Sequence, residues 1–91
     1  MQIITLDNVI FPELLDAWND GKCVGRFWKS GKVRTVCATR QFLIVSAENE
    51  NIKFAYKPTR SLEEAIAMAL QLLAREEKRG HQVERQAEYV R

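Results

Sequence analysis

Residues 22–57 read KCVGRFWKSGKVRTVCATRQFLIVSAENENIKFAYK, and the way this stretch divides decides the fold. β-Branched and aromatic residues fill four runs, 22–28, 32–38, 42–47 and 52–57. Between them stand three turn-forming groups: Lys29-Ser30-Gly31, Thr39-Arg40-Gln41 and Glu48-Asn49-Glu50-Asn51. Connections this short join only antiparallel neighbours, so the stretch reads as a four-stranded meander.

Working outward, the last element is a helix from Leu62 to about Arg79. Ser61 followed by Glu64 is a capping box, Pro58 lies upstream, and Gly80 closes the far end. Leu62, Ala65, Ile66, Ala69, Leu70, Leu72 and Leu73 form one broad apolar face, with Glu63, Glu64, Gln71 and Lys78 opposite. Such a face must pack on something, and the meander is the available surface. On the N-terminal side, residues 2–6 read as a short strand. A helix over about 12–20 follows, with Pro12 in its first turn, Phe11, Leu14, Leu15 and Trp18 in one stripe, and Gly21 to end it. The fold class expected is therefore α+β, in the order β-α-β-β-β-β-α. Residues 1–80 form a single domain, and 81–91 a weakly ordered C-terminal tail. Val83, Ala87 and Val90 give that tail only a faint helical stripe.

Turn chemistry sets which residues share a sheet face. A type I turn with Gly31 as a left-handed bulge residue makes Trp28 and Lys32 the closing pair of the first hairpin. Cys23 then faces Cys37, Gly25 faces Thr35 and Phe27 faces Val33. A plain two-residue Ser-Gly turn mixes charged and apolar residues on both faces, so the bulged register is preferred. A three-residue loop with Asn51 left-handed aligns the last hairpin. Thr39-Arg40 offers no Gly or Asn, and the two hairpins are joined there by parity alone. One face then carries Cys23, Phe27, Val33, Cys37, Phe42, Ile44, Phe54 and Tyr56 and takes the C-terminal helix. The other carries Arg26, Trp28, Lys32, Arg34, Lys53 and Lys57 around Val36, Leu43 and Val45.

The charge distribution gives that second face its interest. Residues 1–21 carry four acids and no base, residues 22–60 nine bases and two acids, and residues 61–91 five bases and six acids, within a formal net charge of +2. A basic sheet face with an aromatic residue suits phosphate neutralisation and base stacking, and Arg26, Trp28, Lys32, Arg34, Lys53 and Lys57 are the candidate contacts for DNA or RNA. The plain alternative is solubilising charge on exposed strands. Val36, Leu43 and Val45 are the candidate seam of a homodimer or of another protein partner. Their alternative is burial beneath the acidic N-terminal helix, which would also neutralise the basic strands.

Catalysis and metal binding find little support. No Gly-rich phosphate loop, nucleophile elbow, metal-protease motif or EF-hand pattern occurs. The chain has two cysteines and one histidine, fewer than the four ligands of a structural zinc site. Cys23 and Cys37, opposite one another, read as small buried thiols more readily than as a disulfide. His81, after the helix end, has no acid partner in the sequence pattern. No cofactor is expected. No apolar run approaches the ~18 residues of a membrane span, and the N-terminus lacks the basic and small-residue features of a signal peptide. The expectation is a cytoplasmic, non-enzymatic module that binds nucleic acid, or alternatively an interaction or regulatory adaptor acting as a homodimer.

Overall fold

The computed structural model describes residues 2–5, 21–47 and 53–90, with side chains for 21–46 and 55–90. The meander forms as β2 (Lys22–Lys29), β3 (Lys32–Ala38), β4 (Phe42–Ala47) and β5 (Lys53–Pro58). The short strand β1 (Gln2–Thr5) pairs with β5, and the helix α1 (Leu62–Lys78) leads into a further strand, β6 (Gln82–Arg85), which pairs with β2. The sheet is antiparallel throughout, in the order β1-β5-β4-β3-β2-β6. This is the α+β meander with a C-terminal helix that the residue pattern calls for. The expected N-terminal helix over 12–20, and its possible cover of a sheet face, fall outside the described residues.

Residues 81–91, expected to be a weakly ordered tail, instead contribute the edge strand β6 and a 3-10 turn at Ala87–Tyr89. Four residues, of which only Val83 and Arg85 are half-buried, are too few to announce a strand by alternation. What makes the strand is the open edge of β2, which supplies backbone partners to Gln82–Arg85. The backbone N–H of Gln86 then donates to the Val24 carbonyl at 2.9 Å and extends the pairing by one residue.

α1 begins and ends as its residues dictate. The Ser61 hydroxyl accepts from the Glu64 backbone N–H at 3.1 Å. The Glu64 carboxylate accepts from the N–H of Arg60 at 2.9 Å, one residue ahead of the reciprocal bond of a capping box. At the other end Gly80 is left-handed (φ 92°), with Gly80 N–H bonded to the Glu77 carbonyl and His81 N–H to that of Glu76, a Schellman closure.

Two register expectations are corrected. The first hairpin closes on Lys29 and Lys32 through the two-residue Ser30-Gly31 turn, with φ 55° and 74° at its two positions. Both values are left-handed, the geometry whose twist matches the flanking strands. The extra residue sits not at the turn but at Val24, where β2 bulges between Cys23 and Gly25. Cys23 thus still faces Cys37, while Gly25 faces Val36 and Phe27 faces Arg34. Between turn and bulge, every β2 side chain shares a face with the other set of β3 residues from the one expected, while Phe27 still faces the helix and Arg26 and Trp28 still face away from it.

The second correction concerns the helix. α1 packs on the face of Val36, Leu43 and Val45, which are 0, 2 and 9% exposed, together with Val24, Phe27 and Ala38. Ala65, Ala69, Leu72 and Leu73 supply the helix side of this core. Ala38 and the bulge residue Val24 add small and β-branched apolar surface there, and Gly25 lets the helix come close. The Cys37, Ile44 and Tyr56 face lies on the far side of the sheet and is also buried, Ile44 completely. Phe42 and Tyr56 pack edge to face there, 5.7 Å between ring centroids. The grouping of Cys37, Phe42, Ile44 and Tyr56 therefore stands, but they are not the helix seat.

Candidate functional site

The corrected register redistributes the basic residues. Arg26 and Trp28 project away from α1. Arg26 pairs in register with Glu84 of β6, its Nε 3.7 Å from the carboxylate, and Trp28 stands between Val33 and Gln82. They are therefore separated from the other four candidates. Lys32 and Arg34 share the α1 side with Phe27 and Lys29. Positions 53 and 57 have the parity of Ala55 on that same side, but Lys57 is opposite Leu43, at the far end of β5 from Lys53. Val36, Leu43 and Val45, expected as a seam for a second chain, are instead core beneath α1, and of the three only Val45 reaches a cleft.

What the fold assembles is a cleft of about 380 Å³ where α1 leaves one corner of the sheet uncovered. It is lined by Phe27 and Lys29 of β2, Arg34 of β3, Val45 of β4, Ala55 of β5, and Leu72, Arg75 and Glu76 of α1. The helix starts beside the end of β5 and finishes beside the start of β6, so it crosses the sheet obliquely. The corner formed by the end of β2 and the starts of β3 and β5 is left open. Phe27, Val45, Ala55 and Leu72 give it an apolar floor and wall, while Lys29, Arg34 and Arg75 bring positive charge.

Three features make this corner electrostatically unusual. Lys29 and Lys32 face each other directly in the register, a like-charge cross-strand pair that costs stability. Arg34 has its Nε sealed from solvent with no hydrogen-bond partner among the described residues, a desolvated donor. Third, other cations on neighbouring elements do have acids. Lys22 meets Glu88 at 3.3 Å, Arg85 meets Glu77 at 3.3 Å, and Arg79 meets Glu76 at 3.2 Å. Among the described residues no such ion pair engages Lys29, Lys32, Arg34 or Arg75.

Among the described residues Glu76 is the single acid of the cleft wall, 6% exposed on the buried face of α1. Its carboxylate is held by His81 Nδ1 at 2.7 Å and by Arg79 Nη1 at 3.2 Å. The Schellman closure brings His81 back over the helix end, so residues five apart meet. The sequence pattern gives no warning of this, because an i,i+5 contact belongs to the closure and not to the helix repeat. Arg75 likewise escapes a reading that looks for charge on strands alone. Its signal is its place one position before Glu76, at the edge of the buried stripe.

Cys23 and Cys37 face each other as unbonded thiols, Cys23 half-buried and Cys37 buried. Burial pushes the Cys37 thiol up to about 12, and the neighbouring Cys23 thiol adds to the rise through charge repulsion and a hydrogen bond. A thiol held protonated is a poor nucleophile or metal ligand. Among the described residues no group of three His, Cys, Asp or Glu side chains comes together, and no helix is long and apolar enough to cross a membrane. Comparison of the chain with protein-family models, curated proteins and solved structures finds no match.

Proposed function

We propose that the chain is a non-enzymatic nucleic-acid-binding module whose contact surface is the corner cleft and the adjoining tip of the β2–β3 hairpin. Lys29, Lys32, Arg34 and Arg75 meet phosphates, and the apolar floor around Phe27 accommodates the rest of a nucleotide. The observation that carries this reading is the gathering of cations that have no acid partner among the described residues, including two lysines directly opposed and an Arg34 Nε without a partner there. A charge arrangement that costs the free protein stability is relieved by an anionic ligand. Such a module belongs in the reducing cytoplasm, in keeping with two cysteines that are too few for a disulfide framework.

Fluorescence anisotropy with labelled single- and double-stranded DNA and RNA tests this. Binding is expected at about 50 mM salt and should weaken by roughly tenfold or more at about 200 mM, as counterion release requires. Lys29→Glu combined with Lys32→Glu, both exposed at the hairpin tip, should abolish it. Arg26→Glu on the opposite face should leave it within about twofold, since that residue faces Glu84. Absence of binding at low salt, or equal losses in the two variants, overturns the reading.

A further inference from the structure

Three cations, Lys29, Arg34 and Arg75, line one small cleft, with Lys32 directly opposite Lys29 on the hairpin, more positive charge than an internal phosphodiester needs. An internal linkage carries a single negative charge, and a strand tracking across a protein spreads its phosphates along a groove. A phosphomonoester carries ≈ −1.5 to −2 near neutral pH and offers three strong acceptor oxygens. Lys29, Arg34 and Arg75 line one corner, Lys32 pairs in register with Lys29 beside it, and they are not strung along the sheet. Arg34, paired in register with Phe27, puts a planar donor group at the apolar floor, with its Nε shielded from water. A guanidinium in that setting favours an acceptor with several oxygens.

The volume points the same way. A cleft of about 380 Å³ lies toward the small end of ligand pockets, the room of one nucleotide unit and not of several. On the helix wall, one position after Arg75, stands Glu76, whose carboxylate is fixed by His81 and Arg79. An anion fixed at that point repels a second phosphate and accepts hydrogen bonds from a sugar hydroxyl or a base amino group. Its surroundings therefore admit a ligand with one phosphate cluster, an apolar ring and hydrogen-bond donors beyond it.

We infer that the cleft recognises a terminal nucleoside phosphomonoester, the phosphorylated end of a DNA or RNA strand, in preference to internal backbone. This rests on the nucleic-acid reading above. The phosphate lies among Lys29, Lys32, Arg34 and Arg75, the base or sugar packs on Phe27, Val45 and Leu72, and Glu76 accepts from the nucleoside.

The test uses the full chain and one short labelled oligonucleotide in 5′-phosphorylated, 3′-phosphorylated and unphosphorylated forms, with a free nucleoside monophosphate as competitor. One phosphorylated form is expected to bind at least about tenfold more tightly than the unphosphorylated strand. The same phosphate on the free mononucleotide should compete; if it does not, although the phosphorylated strand is preferred, the strand beyond the terminal nucleotide is required and the one-nucleotide site is overturned. Arg34→Gln should remove the preference while leaving weaker, phosphate-independent binding, and Lys29→Gln, at an exposed position, should reduce the preference if the Arg34 variant does not fold. Equal affinity for all three forms overturns the inference while leaving nucleic-acid binding intact. No binding of any oligonucleotide overturns both, unless the free mononucleotide alone binds in an Arg34-dependent way, which keeps the monoester site and removes the strand from it.

Discussion

At the scale of single residues, Thr39, Gly25 and Cys37 show how side-chain chemistry does work that pattern alone does not reveal. Thr39 stands where a tight turn offers no Gly or Asn. Its hydroxyl accepts from the N–H groups of Gln41 and Phe42 at 3.2 and 2.8 Å, so a side chain supplies the acceptor that fixes the β3–β4 connection. With that turn fixed, Val36 meets Val45 and Cys37 meets Ile44. Cys37 carries a consequence for stability. Its folded value is raised from 9.0 to about 12, so the unfolded chain releases the thiol proton first as pH rises. The contribution is fully present below 9.0 and is lost progressively between 9.0 and about 12. Urea unfolding at about pH 8 and about pH 10 should show a loss on the order of 1 kcal/mol that is missing in Cys37→Ala. An equal loss in both proteins would assign the pH dependence to other groups.

Between elements, the deciding contact is at Gly25. A Cβ there would lie 2.5 Å from the Glu84 carbonyl and 2.8 Å from Leu73 Cδ1, so neither β6 nor α1 could keep its place. The sequence marks Gly25 as a small residue on the strand face that takes the helix; it does not reveal the close approach of β6, because the pattern reads residues 81–91 as a tail. Gly25→Ala should cost about 1–3 kcal/mol by overpacking and should raise hydrogen exchange in Gln82–Arg85 before the meander. Chemical denaturation and amide exchange read the two effects. Full stability with unchanged protection of β6 would show that the strands can part there without cost. The Ser30-Gly31 turn teaches a related lesson. A preference for clean segregation of charge argued against the two-residue turn, yet backbone twist favoured it, and the Val24 bulge restored the pairing of Cys23 with Cys37.

For the whole molecule, β6 changes what the chain after Gly80 is for. It covers the edge of β2, and the 3-10 turn brings Glu88 back to Lys22 and Tyr89 toward the core. A chain ending at Gly80 should therefore expose a strand edge beside a bulge and lose part of its core cover. It is expected to self-associate or aggregate, seen as a rise in mass by light scattering with concentration. A monomer of undiminished stability would show β6 to be dispensable. The basic cleft is likewise a property of the whole: β2, β3, β4, β5 and α1 each supply a wall.

The meander, the limits of α1 and the side-by-side placing of Lys32 and Arg34 follow from the residues alone, because turn residues, caps and strand parity are local chemistry. So does the location of the excess of positive charge. Long-range packing settles which face α1 covers, the pairing of β6 and the division of Arg26 and Trp28 from the cleft. Those outcomes depend on a bulge one residue long and on the oblique path of the helix, each set by packing between segments distant in the chain. A one-residue shift exchanges two sheet faces while leaving the hydrophobic pattern nearly unchanged, and only the competing contacts of the folded core separate the two arrangements.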